Sequence, residues 1–240
     1  MKIIDAPSPN FNAREDGKKI KYLILHYTGT ATAFEALRLL QGGEKGHDVS
    51  AHYLVDEEGA VTRLVDEAMR AWHAGKSCWE GERDINSCSI GIEIQNPGHG
   101  NGYVPFSPEQ MAAVAELCRD IIERYGILPQ HVLAHSDVAP ERKQDPGELF
   151  PWEELALQGI GLWPKLKEED QVAAGEIKPL LIRYGYDDRV DEKTLVIAFQ
   201  RHFAPQAFLK AEGAGKADQD TVGRAQALVR QKLALRPKLS

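Results

Sequence analysis

Apolar residues recur along this chain with the spacings of strands and helices. Residues 20–28, IKYLILHYT, are rich in β-branched and aromatic side chains and follow the polar stretch REDGKK, which predicts a buried strand. In residues 89–96 the isoleucines Ile90, Ile92 and Ile94 alternate with small or polar residues, which is the period of two of a second strand. The first part of the chain therefore contains sheet.

Capping signals mark two helices between and after these strands. Thr32 stands three residues before Glu35, a capping-box spacing that opens a short helix. Ser107 precedes a proline and Gly126 follows the apolar run, which predicts a longer helix over Pro108–Tyr125. Both helices have apolar faces that a sheet can cover.

Further strands complete the picture. HYLVD and AVTRLV, joined around residues 58–59, predict a hairpin, and VLAHSDVA, residues 132–139, predicts another strand. Strands interleaved with two longer helices indicate an α/β fold, a mixed β-sheet flanked by helices.

The pattern changes after residue 164. Residues 165–176, KLKEEDQVAAGE, are charged and rich in small side chains, as in a linker, and we place a boundary near Lys167. Beyond it the apolar spacing predicts three short helices over residues 177–184, 194–203 and 221–232, with Asp191 and either Asp218 or Asp220 as N-caps. We expect two domains, residues 1–167 and a small three-helix domain of residues 168–240.

Composition limits the function. A formal charge of −7 and a pI near 5.7 argue against a nucleic-acid-binding protein, because phosphate binding needs a basic face. The three cysteines show no C-x-x-C spacing and predict free thiols. The N-terminal residues contain no apolar segment of a signal peptide, and no run approaches the roughly 18 residues of a membrane span. We expect a cytoplasmic monomer, or a periplasmic protein if a leader has been lost.

Two of the eight histidines stand out. His26 and His135 lie at the carboxyl ends of predicted strands, where α/β proteins place functional groups, and Asp145 follows in a turn-rich loop. Two imidazoles and one carboxylate suit a catalytic zinc ion that keeps a fourth position for water. Spacing alone also fits a core histidine and a loop-capping aspartate. Four other histidines, in polar or loop-like contexts, favour solvated or structural roles: His47, His99, His131 and His202.

Two more residues are candidates for catalysis. Glu93 lies mid-strand among isoleucines and glycines, where it could accept a proton from a metal-activated water. An edge strand with one solvent-exposed face would explain a glutamate at this position equally well. Lys143, two residues before Asp145, could stabilise an oxyanion, although most lysines simply lie on the surface.

Five sequence blocks carry a more specific signal. In order they are LHYT, SAHYLVDEEG, RAWHAGKS, SIGIEIQNPG and AHSDVAPERKQDPGELFPW. Together they resemble the AmpD/AmiD group of N-acetylmuramoyl-L-alanine amidases, relatives of phage lysozyme-type amidases and peptidoglycan recognition proteins. The resemblance implies that His26, His135 and Asp145 bind Zn²⁺, that Glu93 is the general base and that Lys143 stabilises the oxyanion.

The resemblance also implies a reaction, the hydrolysis of the amide bond between N-acetylmuramic acid, or its anhydro form, and L-alanine. In the phage-type relatives a cysteine is the last ligand and a tyrosine precedes the histidine that matches His52. Here these positions hold Asp145 and Ala51, which favours a mechanism that uses Glu93. Two alternatives stay open: a muropeptide-binding module without activity, and a zinc peptidase or amidohydrolase that cuts another amide.

The same blocks suggest partners. Trp72, His73 and Asn86 fall where the resembled family lines its substrate groove, although core packing would also explain Trp72. His52 is either a support for the ligands or structural. The segments LLIRYGYD and VIAFQRHF resemble a peptidoglycan-binding module, and a structural or partner-binding bundle is the alternative. The sequence leaves open whether the partner is intact peptidoglycan or soluble muropeptides.

Overall fold

A six-stranded sheet forms the centre of the molecule. The computed structural model describes residues 2–43, 48–171 and 175–235, so His47 lies outside the described residues. In sequence the strands of this sheet are β1 Ile3–Asp5, β3 Tyr22–Tyr27, β4 Tyr53–Val55, β5 Val61–Arg63, β7 Ser89–Ile94 and β8 Val132–Ala134. Two further strands, β2 Phe11–Ala13 and β6 Met69–Ala71, pair with each other in a separate antiparallel ribbon.

The sheet is mixed, as predicted. Its order is β1-β5-β4-β7-β3-β8, and β4, β7, β3 and β8 run parallel to one another. Strands β4 and β5 form the predicted antiparallel hairpin. The register places His26 of β3 directly beside Glu93 of β7, and Leu25 beside Ala134 of β8. The carboxyl ends of three parallel strands therefore meet at one edge.

Helices cover both faces of the sheet. Helix α2, Pro108–Tyr125, begins at the predicted cap, where the Ser107 side chain accepts a hydrogen bond from the backbone of Gln110. It packs on one face with Leu23, Ile92 and other buried residues. Helix α1, Ala33–Leu40, begins at Thr32 in the same manner.

The prediction of one long strand over residues 132–139 was wrong. Only Val132–Ala134 pair with β3, and the chain then turns into the short helix α3, His135–Val138. The cause is a side chain: Asp137 Oδ2 accepts a hydrogen bond of 2.8 Å from the backbone N–H of Ala134, which holds the chain in a helical turn. His135 consequently begins a helix, directly after a strand end.

The C-terminal helices pack on the other face of the sheet. After α4 (Trp152–Leu157) come α5 Glu168–Gln171, α6 Ile177–Tyr184, α7 Glu192–Phe203 and α8 Gln219–Ala234. Asp191 and Asp218 cap α7 and α8 through the backbone N–H groups of Thr194 and Thr221. One apolar cluster joins α6, α7 and α8 to the sheet: Tyr22, Ile24 and Leu133 lie in it with Leu181, Phe199 and Leu228. The division into residues 1–167 and 168–240 stays a prediction.

Two simpler expectations concern the whole chain. Cys78, Cys88 and Cys118 are buried free thiols. Within the described residues, no helix has both the length and the apolar character needed to cross a bilayer.

Candidate active site

The edge where the parallel strands end collects the predicted site residues. His26 and Glu93 are register partners on β3 and β7, and His135 directly follows β8. Asp145 lies in the loop after α3, and its carbonyl oxygen accepts a 3.0 Å hydrogen bond from the backbone of Ser136. Topology thus brings together residues that are up to 119 positions apart.

Three ligand atoms converge on one point. His26 Nδ1 lies 2.8 Å from His135 Nδ1 and 3.1 Å from Asp145 Oδ2, and His135 Nδ1 lies 2.9 Å from the same oxygen. All three residues are buried. Ligands around a tetrahedral zinc ion lie about 3.3 Å apart when the metal–ligand bonds are about 2.0–2.1 Å. The triangle therefore needs only a small expansion to hold an ion, and this donor set is compatible with a metal.

A chain of hydrogen bonds fixes the tautomer of His26. The Ser89 hydroxyl donates to the carbonyl oxygen of Ile85 at 2.6 Å, so it accepts from His73 Nε2–H at 3.1 Å. His73 Nδ1 then carries a lone pair and accepts from His26 Nε2–H at 3.0 Å. As a result His26 Nδ1 presents its lone pair to the triangle, as a metal ligand must.

His135 is fixed in the same way from its other side. Its Nε2 lies 3.2 Å from the carbonyl oxygen of Ala74, which can only accept, and at the longer distance of 3.5 Å from Arg142 Nη2, which can only donate. The shorter contact favours the proton on Nε2 and leaves the Nδ1 lone pair free. The Asn86 Oδ1 atom accepts hydrogen bonds from the backbones of His73 and Ala74, at 3.2 and 2.8 Å. The Arg142 guanidinium also donates to the Ala74 carbonyl.

Electrostatics favours the deprotonated forms that bind metal. Burial, reinforced by the neighbouring His135, lowers the pKa of His26 to about 4. Burial alone would raise the pKa of Asp145, but the charge and hydrogen bonds of His135 and His26 hold it far below its usual range. At neutral pH His26 is therefore uncharged and Asp145 is a carboxylate.

Glu93 lies beside this triangle with an unsatisfied oxygen. Its side chain is partly buried, and Oε2 is a buried atom without a hydrogen-bond partner in the described part of the chain. Burial, and next the charge of Asp145, raise the pKa of Glu93 well above its usual range. A carboxyl group with a raised pKa and a free oxygen is suited to proton transfer.

Lys143 contributes a positive charge on the open side. It lines the groove, and its charge lowers the pKa values of both Glu93 and His26. Across residues 2–43, 48–171 and 175–235 its ammonium group forms no hydrogen bond or ion pair. It is therefore available to a ligand.

The groove in front of the triangle measures about 370 Å³. Trp72 is partly exposed and forms part of its wall, and its indole N–H donates to Asn12 Oδ1 at 2.6 Å. His73 and Asn86 are buried and make the hydrogen bonds described above. Contact of these three residues with substrate stays a prediction. The structure shows in addition that His73 hydrogen-bonds His26, and that Asn86 hydrogen-bonds the backbone of His73 and Ala74.

His52 lies further back. Its Nδ1 accepts from the backbone N–H of Gly91 at 3.0 Å and its Nε2 lies 3.1 Å from the carbonyl oxygen of Met69. Burial and the nearby Arg14 lower its pKa to about 3. It is a neutral, hydrogen-bonded residue of the interior.

Sequence reasoning missed the support given by Ser89, Gly91 and Arg142. A Cβ atom at Gly91 would overlap the His73 ring, so only glycine leaves room for that imidazole. The signal was present, because the period of two in β7 places Ser89 and Gly91 on the same face as Glu93. Nothing in the sequence pattern pointed to Arg142.

Comparison with known proteins agrees with this geometry. The family model described as N-acetylmuramoyl-L-alanine amidase matches residues 16–148. N-acetylmuramoyl-L-alanine amidase AmiD of Escherichia coli is 39% identical over 238 residues, covering 88% of this chain and 83% of AmiD. 1,6-anhydro-N-acetylmuramyl-L-alanine amidase AmpD of Haemophilus influenzae is 33% identical over 165 residues, covering 61% of this chain and 86% of AmpD.

Solved structures extend the match to the fold. The complex of E. coli AmiD with anhydro-N-acetylmuramic acid-L-Ala-D-γ-Glu-L-Lys has a TM-score of 0.78 at 38% identity and covers 91% of this chain and 92% of that chain. AMPDH3 from Pseudomonas aeruginosa has a TM-score of 0.79 at 30% identity, covering 90% and 93%. On sequence and fold together, the chain belongs to the N-acetylmuramoyl-L-alanine amidase family.

Proposed function

We propose that this chain uses a zinc ion to hydrolyse the amide bond between anhydro-N-acetylmuramic acid and the L-alanine of its stem peptide. One observation carries the proposal: His26, His135 and Asp145 form a triangle of possible ligands, and His135 and Asp145 line a groove together with Glu93 and Lys143. The names of the relatives support the choice of bond, since AmiD was solved with such a substrate and AmpD is named for the anhydro sugar.

Zinc suits the donor set. Two neutral imidazole nitrogens and one carboxylate oxygen are the ligands of catalytic zinc sites, which keep one position open. Hydrogen bonds from His26 and His135 to groups behind them fix both rings, as is usual for zinc-binding histidines. When bound, the ion supplies a Lewis acid that activates water and polarises the amide carbonyl.

The residues of the chain divide the remaining work. Glu93 accepts the proton of the attacking water through its free Oε2 atom and returns it to the departing alanine nitrogen. The Lys143 ammonium stabilises the negative charge that develops on the carbonyl oxygen. No covalent bond between enzyme and substrate is required.

The test is a defined digestion. The purified chain, stripped of metal by a chelator, is incubated with anhydro-N-acetylmuramic acid-L-Ala-D-γ-Glu-L-Lys, and the products are identified by mass spectrometry. We expect free tripeptide and anhydro sugar only after zinc is restored. Cleavage at another amide would instead identify a peptidase or amidohydrolase, and binding without cleavage in the zinc-loaded protein would identify a recognition module.

Substrate size is a separate question. We propose soluble anhydro-muropeptides as the preferred substrate, because the 370 Å³ groove is of the size that holds a small ligand. Parallel digestion of muropeptide and intact peptidoglycan, at equal concentrations of lactyl amide bonds, would compare the two. A faster rate on the polymer would contradict this preference.

A further inference from the structure

His135 and Asp145 are the two candidate ligands that do not lie on β3. The last turn of helix α7 contacts both of the chain segments that carry them. Two adjacent residues make these contacts: His202 reaches α3, which begins with His135, and Arg201 reaches the loop that contains Asp145. Helix α7 belongs to the C-terminal helices, well beyond the residues matched by the family model.

His202 holds α3 through a fully buried contact. Its Nδ1 lies 2.7 Å from Asp137 Oδ2, the same oxygen that accepts from the backbone of Ala134. The other oxygen of Asp137 accepts a 2.6 Å hydrogen bond from the Tyr186 hydroxyl. The carboxylate that fixes the turn at His135 thus depends on two donors from the C-terminal part of the chain.

The ring of His202 has little freedom. It stacks between Trp152 and Phe203, with ring centroids 3.8 and 3.7 Å away. Its Nε2 is buried without a hydrogen-bond partner among the residues described, so the contact with Asp137 is the polar link of this imidazole. A buried, stacked imidazole with one such polar contact holds α7 and α3 in a fixed relative position.

Arg201 holds the second segment on both sides of Asp145. Its Nη2 donates to Gln144 Oε1 at 3.3 Å, and its Nε lies 3.3 Å from Glu148 Oε2. This second contact is an ion pair without hydrogen-bond geometry, because Arg201 Nε has no hydrogen-bond partner among the described residues; Glu148 accepts its hydrogen bond from His99 Nε2–H at 3.1 Å. The loop is therefore tied to α7 immediately before and shortly after the ligand.

We propose that Arg201 and His202 are positioning residues of the metal centre. They set the spacing between His135 and Asp145, whose ligand atoms lie 2.9 Å apart, although neither residue belongs to the triangle or lines the groove. The inference rests on the metal function proposed above. It makes the C-terminal helices part of the catalytic scaffold, whether or not they also bind peptidoglycan.

Helix α7 offers a matched control. Gln200 precedes both residues and is fully buried. Among the described residues its side chain bonds only to the C-terminal part of the chain, namely to Gly213, Lys216, Thr221 and Gly215. Gln200→Leu therefore destabilises the same helix without touching the ligand segments. His202→Leu and Arg201→Met remove the two contacts, and His202→Asn keeps a donor near the position of Nδ1.

The measurements are Co²⁺ affinity, by competition with a chromophoric chelator, the visible spectrum of the Co²⁺-loaded protein, and the melting temperature without metal. We expect His202→Leu and Arg201→Met to bind Co²⁺ roughly 10–100-fold more weakly, the usual effect of losing an outer support, with an altered spectrum. His202→Asn should recover most of the affinity. Gln200→Leu should melt earlier yet bind Co²⁺ like the wild type.

The outcomes separate the two proposals. If the wild-type chain fails to bind Co²⁺, the proposed metal function fails. If it binds, and His202→Leu and Arg201→Met bind equally well, the positioning role is wrong. Affinity that falls in step with melting temperature across all variants, Gln200→Leu included, also overturns it. Should His202→Leu not fold, Arg201→Met decides, because that side chain is partly exposed and its loss leaves the apolar core intact.

Discussion

The two sides of the candidate centre treat their polar groups in opposite ways. Behind the triangle, the outer nitrogens of His26 and His135 are hydrogen-bonded, and His73 continues to Ser89. Toward the groove, an oxygen of Glu93 and the ammonium of Lys143 have no hydrogen-bond partner in the described ranges. Under the mechanism proposed above, this difference separates two tasks: groups that hold an ion need a fixed orientation, and groups that transfer protons or stabilise charge must stay available to the substrate.

The largest effect is expected from removal of a holding group. Asp145→Ala deletes the one anionic member of the triangle and leaves two neutral imidazoles. We expect the zinc content after dialysis to fall below one tenth of the wild-type value and activity to fall with it. Metal analysis by mass spectrometry measures the first quantity. Stoichiometric zinc in the dialysed variant would show that Asp145 is not a ligand.

Removal of the proton acceptor should separate activity from metal content. Glu93→Gln keeps the shape of the side chain but cannot accept the proton of water, so we expect kcat to fall by roughly 10²–10⁴-fold, the range for general acid–base groups. Zinc content should stay stoichiometric. Turnover on the muropeptide and metal analysis of the same sample test both statements, and near-normal kcat would exclude Glu93 as the base.

Lys143→Ala removes the second group on the groove side, the ammonium that has no hydrogen-bond partner among the described residues. We expect zinc content to be unchanged and a loss of about 2–4 kcal/mol of transition-state stabilisation, the scale for one oxyanion donor. Lys143→Arg should recover part of this, because it restores a positive charge. Lys19→Ala, an exposed lysine outside the groove, is the control. Wild-type kcat/KM in Lys143→Ala would contradict the role.

The sequence predicted the front of the site better than its back. His26 and His135 could be placed together because the carboxyl ends of parallel strands share one edge of a sheet, whereas Glu93, predicted mid-strand, was joined to them by the family resemblance. The contact of His73 with Ser89 depends on the packing of a loop against β7, for which no periodic pattern exists. In the fold as well, the sequence predicted periodic elements better than contacts that depend on tertiary packing.

Long elements such as α2 were predicted to the residue, whereas β1, β2 and β6 have three residues each and are too short to show a period. Helix α3 was mistaken for strand because one hydrogen bond, from the Ala134 N–H to the Asp137 carboxylate, outweighs local propensity there. The contact between Asp137 and His202 spans 65 positions and arises only when the C-terminal helices pack on the sheet.

A milder substitution tests the hydrogen bonds behind the triangle, at a residue that does not itself belong to the triangle. Ser89→Ala deletes the acceptor for His73 Nε2–H and so loosens the tautomer of His26. We expect Co²⁺ affinity to fall by about tenfold. Ser87→Ala is a close control, since Ser87 is also buried but accepts from the backbone of Glu15, away from the triangle. Equal affinity in the two variants would show that the relay does not orient His26.

The smallest expected effect concerns His52, in the interior behind the triangle. Folding lowers its pKa from 6.5 to about 3, because burial and Arg14 disfavour the charged ring. Below pH 6.5 the unfolded chain therefore binds a proton that the folded chain does not, so the free energy of unfolding falls as pH decreases. Between pH 7 and 5.5 one such group accounts for about 1 kcal/mol.

His52→Asn removes this titration and keeps an acceptor for the backbone N–H of Gly91. Urea unfolding of the metal-free proteins at the two pH values should show the variant losing about 1 kcal/mol less than the wild type. His26 and His73, whose pKa values burial also lowers, add pH dependence of the same sign, and Glu93, whose pKa burial raises, adds the opposite sign; all three are present in both proteins, so the difference between the proteins isolates His52. Equal losses in both proteins would mean that His52 already binds a proton in the folded state. His52 would then not be one of the neutral, buried groups behind the ligands.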